Sequence, residues 1–223
     1  MAISEAELAG PRRPSRRRAE TRRRVIEAAY DVFAELGIRD APVELICERA
    51  GFTRGAFYSN FASKEELFLA LYEIRMRERA QRLREAVEQT VRTADRDSPG
   101  VVDRVLRDVG MLFMESLTAD VTWYLLNLEF RAQALRQPEL RAPTAAAERR
   151  FHDALTDILQ TMLDRLDLRL GLDPRNAIVT IVALYETTLE RAILDDRPGH
   201  VDTSYLTEVL PRLFTSMIAT DHR

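Results

Sequence analysis

The feature that most constrains the fold is a helical periodicity, interrupted at short intervals, near the start of the chain. From residue 21 onward, apolar side chains recur at helical spacing until Gly37, a residue type that often ends helices. Pro42 then suits the first turn of a second helix, which Gly51 ends. The pattern therefore predicts two helices, the second of them short, before residue 52.

The next segment predicts a third short helix and a long fourth one. Thr53 is suited to cap the third helix. Ser63 and Glu66 have the spacing of a capping box, so the fourth helix begins near Lys64 and the third must end before it. Helical apolar spacing continues into the 90s, so the fourth helix is long and extends from Lys64 into the second domain.

The remainder of the chain also reads as helical. Pro, Gly and Asp residues separate a fifth helix that begins near Ser98 and Pro99 from helices at about 120–137, 143–170, 174–194 and 202–220. Pro211 is expected to kink the last of these. No segment alternates with the period of a strand, so the predicted fold is all-α with about nine helices.

Composition indicates a soluble globular protein that needs no disulfide to fold. Apolar residues make up 46% of the chain and charged residues 31%. The single cysteine, Cys47, cannot form an internal disulfide and is expected in the core. We find neither a secretory signal nor an apolar run of the roughly 20 residues that span a bilayer. We therefore expect a cytoplasmic protein with no membrane partner.

Charge is distributed unevenly along the chain. Residues 1–64 hold 12 basic and 9 acidic residues, so this part carries +3 although the whole chain carries -3. Eight of the arginines lie between Arg12 and Arg24. Residues 1–18 are predicted to be a basic flexible arm, either a disordered tail or an arm that contacts nucleic acid. Residues 19–66 are then expected to form a helix-turn-helix domain, and residues 67–223 a second, larger helical domain.

The segment TRGAFYSNF, residues 53–61, has the character of a helix that approaches DNA. Gly55 and Ala56 are small enough for close approach to base edges, although glycine costs about 1 kcal/mol relative to alanine inside a helix. Arg54 at the helix N-terminus is the best candidate for reading a guanine. Tyr58 can offer its hydroxyl to the DNA backbone. Lys64, the only lysine of the chain, lies where a phosphate would offset its poor fit to a helix N-terminus.

Residues 21 to 70 resemble the DNA-binding domain of TetR-type transcriptional repressors. The resemblance implies that Arg54, Gly55 and Ala56 face the bases and that Thr53, Tyr58, Asn60 and Lys64 touch phosphates. Pro42 stands where that family often has a phosphate-contacting threonine, and Asn60 stands where it often has histidine. The expected function is a ligand-responsive homodimeric repressor that binds a pseudo-palindromic double-stranded DNA operator and needs no cofactor.

The second domain offers two sets of apolar candidates. Residues that could line an effector cavity are Tyr72, Met76, Phe113, Met114, Trp123, Tyr124, Phe130, Phe151 and Met162. Residues of the last two helices that could pair with a second copy are Ile178, Ile181, Val182, Tyr185, Leu189, Leu206, Val209, Leu213, Phe214 and Met217. For both sets, the competing interpretation is ordinary core packing.

Other functions have weaker support in the sequence. Glu148 and His152 have the spacing of a metal pair, but no further ligand joins them, and a solvated helix face explains them better. No nucleophile, zinc site or phosphate loop is recognisable, so an enzyme is not expected. The alternative that stays open is a helical interaction module or ligand carrier that does not bind DNA.

Overall fold

The computed structural model describes residues 16–95, 98–118, 120–195 and 209–218. Within these ranges the secondary structure consists of helices and one isolated β-bridge, between Leu170 and Ile218, which confirms the all-α prediction. The nine helices of the described residues are α1 (Arg16–Asp40), α2 (Val43–Ala50), α3 (Arg54–Tyr58), α4 (Lys64–Thr93), α5 (Val101–Thr118), α6 (Val121–Arg136), α7 (Pro138–Arg165), α8 (Pro174–Leu194) and α9 (Leu210–Met217). None of the helices in this described part is long and apolar enough to cross a membrane.

The chain divides into two compact units, Met1–Leu71 and Tyr72–Arg223. The predicted helix-turn-helix domain, residues 19–66, lies within the first unit. Most of the predicted arm, residues 1–15, lies outside the described residues, whereas residues 16–18 belong to α1. Helix α4 contributes its first two turns to the first unit and the rest to the second.

The first unit is built on aromatic residues that α1, α3 and α4 supply. Phe33 and Phe68 are fully buried, and their rings meet edge to face with centroids 6.1 Å apart. Phe57 and Phe61 are also buried, with ring centroids 5.9 Å apart. Leu36 continues the periodicity of α1 but is 44% exposed, so the apolar pattern overestimates the core there.

The predicted helix ends of this unit are largely confirmed. Gly51 caps α2 in the left-handed conformation, with φ 72° and ψ 35°. Gly37 also has a positive φ of 77°, but its ψ of 166° makes a kink, and helical structure resumes as far as Asp40. Thr53 caps α3 by accepting a hydrogen bond from the backbone N–H of Ala56 at 3.2 Å.

The capping box at α4 forms with one change. The Ser63 hydroxyl accepts from the backbone N–H of Glu66 at 3.2 Å, as predicted. The Glu66 carboxylate reaches one residue further back than expected and accepts from the backbone N–H of Ala62 at 2.7 Å. Both interactions fix the chain direction between α3 and α4.

Several helix boundaries in the second unit differ from the predictions. Helix α7 begins at Pro138, where proline needs no N–H partner, and Pro143 lies inside the helix instead of starting it. It ends at Arg165, not at residue 170, because Asp167 adopts a left-handed φ of 55°. Residues Ser98 to Gly100 form a turn before α5, which starts at Val101.

The last predicted helix can be compared only in part. Residues 196–208 and 219–223 lie outside the described residues, and the predicted start of that helix, near residue 202, falls in the first of these gaps. Within the described residues, Pro211 lies in the first turn of α9, a position that proline tolerates.

Candidate nucleic-acid interface and ligand cavities

The short helix α3 is anchored on one side and open on the other. Phe57 is fully buried, and the Thr53 cap closes the N-terminal turn. Arg54 and Gly55 are exposed, and Tyr58 retains 49% exposure while its ring lies edge-on to Phe57. Arg54, Gly55 and Tyr58 therefore share the solvent side of an anchored helix.

Nothing in the described part of the chain explains why residue 55 is a glycine. Its φ is not in the positive range, and a Cβ placed there would meet only the Thr53 hydroxyl, at an ordinary 3.8 Å. Alanine would fit and would favour the helix. The small residue is therefore consistent with a partner outside the chain that approaches α3 closely, as the sequence suggested.

Arg54 is not free in this structure. Its guanidinium forms an ion pair with Glu44 of α2 at 2.7 Å and lies 5.9 Å from the centre of the Tyr58 ring. Both partners of the ion pair are mostly exposed, which makes it a weak interaction that a stronger acceptor can replace. Interaction with Tyr58, and then the charge of Glu44, raises the pKa of Arg54, so the side chain remains a cation.

Asn60 is less suited to a phosphate contact than the resemblance implies. Its side-chain amide donates to the carbonyl of Ala56 at 2.8 Å and to the Ser59 hydroxyl at 3.2 Å. Its Oδ1 atom is buried and makes no hydrogen bond within the described chain. Because the N–H groups are already used, Asn60 must rotate before it can donate to a phosphate.

Lys64 has partners in the chain that the sequence did not reveal. Its ammonium donates to the backbone carbonyl of Arg39 and, at 3.4 Å, to that of Ala41. These carbonyls belong to the end of α1 and the loop that follows it, where a cation is favourable. The structure thus explains a cation at Lys64 without a phosphate, although a phosphate contact stays a prediction.

Arginines of α1 hold the ends of the two following helices. Arg22 donates to the backbone carbonyl of Asn60 at 3.0 Å, and its guanidinium lies 4.3 Å from the centre of the Phe61 ring. Arg18 donates to the carbonyl of Ser59, and Arg24 to that of Ala50, each at 3.0 Å. The sequence did not predict this role, because the arginine run suggested only an electrostatic arm and its carbonyl partners lie 26 to 41 residues away.

The second unit contains an apolar cavity of about 90 Å³. Of the predicted cavity residues it includes Phe113 and Met162. It also includes Ile178, Ile181 and Phe214, which the sequence had assigned to a dimer contact. Phe130 is buried but lines neither this cavity nor the polar one described next, and the side chain of Met114 lies outside the described set.

A second, more polar cavity of about 150 Å³ lies in the same unit. Its lining includes five predicted residues, which are Tyr72, Met76, Trp123, Tyr124 and Phe151. Glu148 and His152 also line it, so the expected solvated face is wrong. The Glu148 carboxylate pairs with Arg131 at 3.2 Å, and Arg131 binds both carboxylate oxygens of Glu186 at 2.9 and 2.8 Å. Sequence spacing could not reveal this cluster because it joins three helices.

Comparison with known proteins decides the family. Residues 25–71 match the family model described as bacterial regulatory proteins, tetR family. The HTH-type transcriptional repressor AcnR of Corynebacterium glutamicum is 30% identical over 190 residues, which cover 85% of this chain and 88% of that protein. The chain belongs to the TetR family. AcnR of Corynebacterium efficiens is 29% identical over 201 residues, which cover 90% of this chain and 94% of the relative.

The fold agrees with the family assignment. The crystal structure of the transcriptional regulator FadR from Bacillus subtilis, in complex with stearoyl-CoA, superposes with a TM-score of 0.62 at 24% identity. The match covers 88% of this chain and 99% of that one. The family and its full-length relatives, which are HTH-type transcriptional repressors, identify this TetR-family chain as a DNA-binding transcriptional regulator, in line with the expectation that it is not an enzyme.

Burial revises the predicted dimer surface of this TetR-family regulator. Ile178, Tyr185 and Leu189 are at most 5% exposed in a single chain, so the structure does not support them as contacts with a second copy. Ile181 and Val182 are partly buried and line the cavities. This face of α8 packs against the chain's own helices, because apolar residues occur all around α8 and its sequence could not tell the inner side from the outer.

The apolar side chains that are exposed to solvent are mostly not the ones predicted to form the dimer contact. On α8 they are Val179 at 51% and Leu194 at 77%, and Val209 just before α9 is 41% exposed. Leu213, Phe214 and Met217 are partly buried, and Leu206 lies outside the described residues. Helix α6 exposes Leu125, Leu128 and Leu135, which the apolar periodicity did not single out.

Proposed function

We propose that the chain is a homodimeric repressor that places α3 of each protomer in successive major grooves of a pseudo-palindromic operator. The observation that carries this proposal is the open side of α3, where Arg54 and Tyr58 flank a glycine that the chain's own packing does not require. A recognition helix needs such a surface, with small residues close to base edges and longer donors at its margins.

The proposed roles follow from what each side chain offers. Arg54 exchanges the Glu44 carboxylate for a base edge, and Gly55 and Ala56 allow the helix backbone to approach. Tyr58 and the Thr53 end of the helix contact phosphates. Lys64 and Asn60 are assigned to phosphates as well, Asn60 only after its amide rotates.

Two variants separate base reading from phosphate binding. Arg54→Ala should weaken operator binding and relax the preference at one base position by about 1 to 3 kcal/mol. Lys64→Gln should weaken binding to all duplexes alike. Arg23→Ala is the matched control, because Arg23 lies in α1 and, among the described residues, pairs only with the exposed Glu20 and Glu27. Mobility shifts with an operator series measure all three.

The outcomes of these shifts are distinct. Equal losses on every duplex for Arg54→Ala and Lys64→Gln would refute the assignment of Arg54 to base reading. Thermal melting of Lys64→Gln is needed beside the shifts, because this lysine also holds the carbonyls of Arg39 and Ala41. A protein that shifts no duplex at all would instead be the interaction module or carrier that the sequence left open.

We infer that a small-molecule effector occupies the cavities of the second unit. FadR, a structural neighbour, was crystallised with stearoyl-CoA, and both cavities of this chain are lined in part by residues of α4. That helix also begins beside α3 in sequence, at Lys64. An effector lowers operator affinity only if it binds the DNA-free conformation more tightly than the DNA-bound one.

Homodimerisation and cytoplasmic localisation complete the proposal. A two-fold protein suits a palindromic operator, and exposed apolar residues on α8 and beside α9 support a contact between copies. Leu194→Arg should convert the dimer to a monomer, as measured by light scattering after size-exclusion chromatography. Leu135→Arg on α6 is the control, and a monomer from that variant alone would move the interface to α6.

A further inference from the structure

The polar cavity contains a buried hydroxyl with no hydrogen-bond partner among the described residues. Tyr185 is 3% exposed, lines the cavity, and makes no hydrogen bond with the described residues. Buried polar groups in folded proteins are nearly always hydrogen-bonded, so such a group marks a place for a ligand or an ordered water. Burial raises the pKa of Tyr185, and the charge of Arg79 offsets this only in part, so the phenol keeps its proton and remains a donor.

Arg79 is a second unused donor in the same cavity. It is partly buried, and the structure gives it no hydrogen bond or ion pair with any described residue. The neighbouring arginines differ, since Arg75 pairs with Asp120 at 3.0 Å and Arg131 with Glu186 and Glu148. Burial lowers the pKa of Arg79, but a guanidinium stays charged and presents a fork of donors that matches a carboxylate.

The charges around Arg79 favour a monoanion. Arg131 pairs with the carboxylates of Glu148 and Glu186, so these three groups together carry one net negative charge. Arg79 also lines the cavity and has no ion-pair partner among the described residues. The two arginines and two glutamates of the lining sum to zero, so a monoanion paired with Arg79 leaves the site with one net negative charge. A dianion such as a phosphate monoester would add a charge near Glu148 and Glu186 that no further cation of the lining offsets.

The apolar cavity is lined by other residues of the same helices, α4, α7 and α8. On α4, Met76 and Arg79 line the polar cavity, and Leu83 and Val87 line the apolar one, at spacings of three and four residues that form a single stripe. Phe113 of the apolar cavity lies edge-on to Tyr185, with ring centroids 6.1 Å apart. From Arg79 to Val87 the helix rises about 12 Å, which accommodates an extended chain of medium length.

We propose that Arg79 and Tyr185 bind the carboxylate of an amphiphilic organic acid whose apolar part lies in the cavity lined by Leu83, Val87 and Phe113. The Arg79 fork binds the carboxylate oxygens, and the Tyr185 hydroxyl donates to one of them. This site deepens the proposed function, because it gives the effector a chemical class. It rests on the proposal that the cavities of the second unit hold the effector.

Direct binding, measured without DNA, tests the site. Trp123 is the only tryptophan of the chain and lines the polar cavity, so its fluorescence reports occupancy. The probes are decanoate, its uncharged counterpart decanol, decyl phosphate and hexanoate. We expect decanoate to bind at least tenfold more tightly than decanol or decyl phosphate, and more tightly than hexanoate because more methylenes are buried.

Substitutions assign the selectivity to the two donors. Arg79→Met should abolish the preference for decanoate over decanol, and Tyr185→Phe, which keeps the ring, should reduce decanoate affinity about fivefold. Arg82→Met is the control on the same helix, since Arg82 is exposed and lines neither cavity, and it should bind decanoate normally. Calorimetry repeats the comparison in case a substitution alters Trp123 itself.

Each result has a defined meaning. Equal affinities for decanoate and decanol, or an unchanged decanoate affinity in both Arg79→Met and Tyr185→Phe, would overturn the site and leave the hydroxyl to ordered water. Tighter binding of decyl phosphate would overturn the choice of carboxylate. The decanoate assay contains no DNA, so its result is independent of the mobility shifts. A chain that binds decanoate through Arg79 but shifts no duplex refutes the repressor proposal and not the site. A chain that shifts an operator but does not bind decanoate through Arg79 refutes only the site.

Discussion

Replacing Gly55 by alanine should stabilise the protein and weaken its binding to DNA. The added Cβ meets only the Thr53 hydroxyl at 3.8 Å, and the backbone there is not in the left-handed region, so the folded chain accepts the methyl group without strain. Alanine reduces the entropy of the unfolded chain relative to glycine, a gain of about 0.4 to 1 kcal/mol. The melting temperature should therefore rise by about 1 to 4 °C.

The effect on DNA binding should have the opposite sign. If α3 approaches base edges, a methyl group at position 55 holds the helix away and lengthens the contact of its neighbour Arg54. The loss of one good base contact corresponds to about 1 to 3 kcal/mol. Titration of a labelled operator at fixed salt measures this loss directly, and thermal melting of the same preparation measures the stability.

Gly110 provides the matched control. It lies within α5 in the second unit, and a Cβ there would meet nothing within 4 Å. Gly110 also lines the apolar cavity, so the titrations are run without effector. Under that condition Gly110→Ala should raise the melting temperature similarly and leave operator affinity unchanged. Unchanged operator affinity in Gly55→Ala, or a lowered melting temperature, would refute the argument that an external partner explains the glycine.

Three further predictions address the first unit. Glu44→Gln should raise operator affinity several-fold, because it releases Arg54 from its ion pair and removes a negative charge; an affinity below that of the wild type in the same titration would contradict this. Arg22→Met should lower stability by about 1 kcal/mol through loss of the bond to the Asn60 carbonyl, while Arg23→Met, which loses only exposed pairs, should not. Deleting residues 1–15, which preserves Arg18, should flatten the salt dependence of binding by about 0.9 for each phosphate that the arm neutralises, and an unchanged slope would show that the arm does not bind DNA.

Local signals in the sequence sufficed for most of the first unit. The caps at Thr53 and Ser63, the left-handed Gly51 and the buried Phe57 and Phe61 each depend on residues only a few positions apart. Such interactions leave a recognisable spacing, and the family resemblance rested on the same residues. The element order of the DNA-binding unit could therefore be derived before the structure.

Contacts between distant parts of the chain could not be derived in this way. Arg22 meets the Asn60 carbonyl across 38 residues, and Lys64 meets that of Arg39 across 25. The apolar residues of α8 surround the helix, so the sequence could not show that Tyr185 points into a cavity and Leu194 to solvent. Pro143 inside α7 was misjudged because Pro138 already starts that helix.

Capture of genomic fragments tests whether α3 docks on a specific duplex. Purified protein and its Arg54→Ala variant are each incubated with sheared genomic DNA at low salt, and the bound fragments are sequenced. We expect the wild-type protein to enrich fragments with an inverted repeat whose half-sites are centred about 34 Å apart, or a multiple of that spacing. The variant should lose this enrichment. Identical fragment populations from the two proteins, or no captured DNA from either, would contradict this expectation.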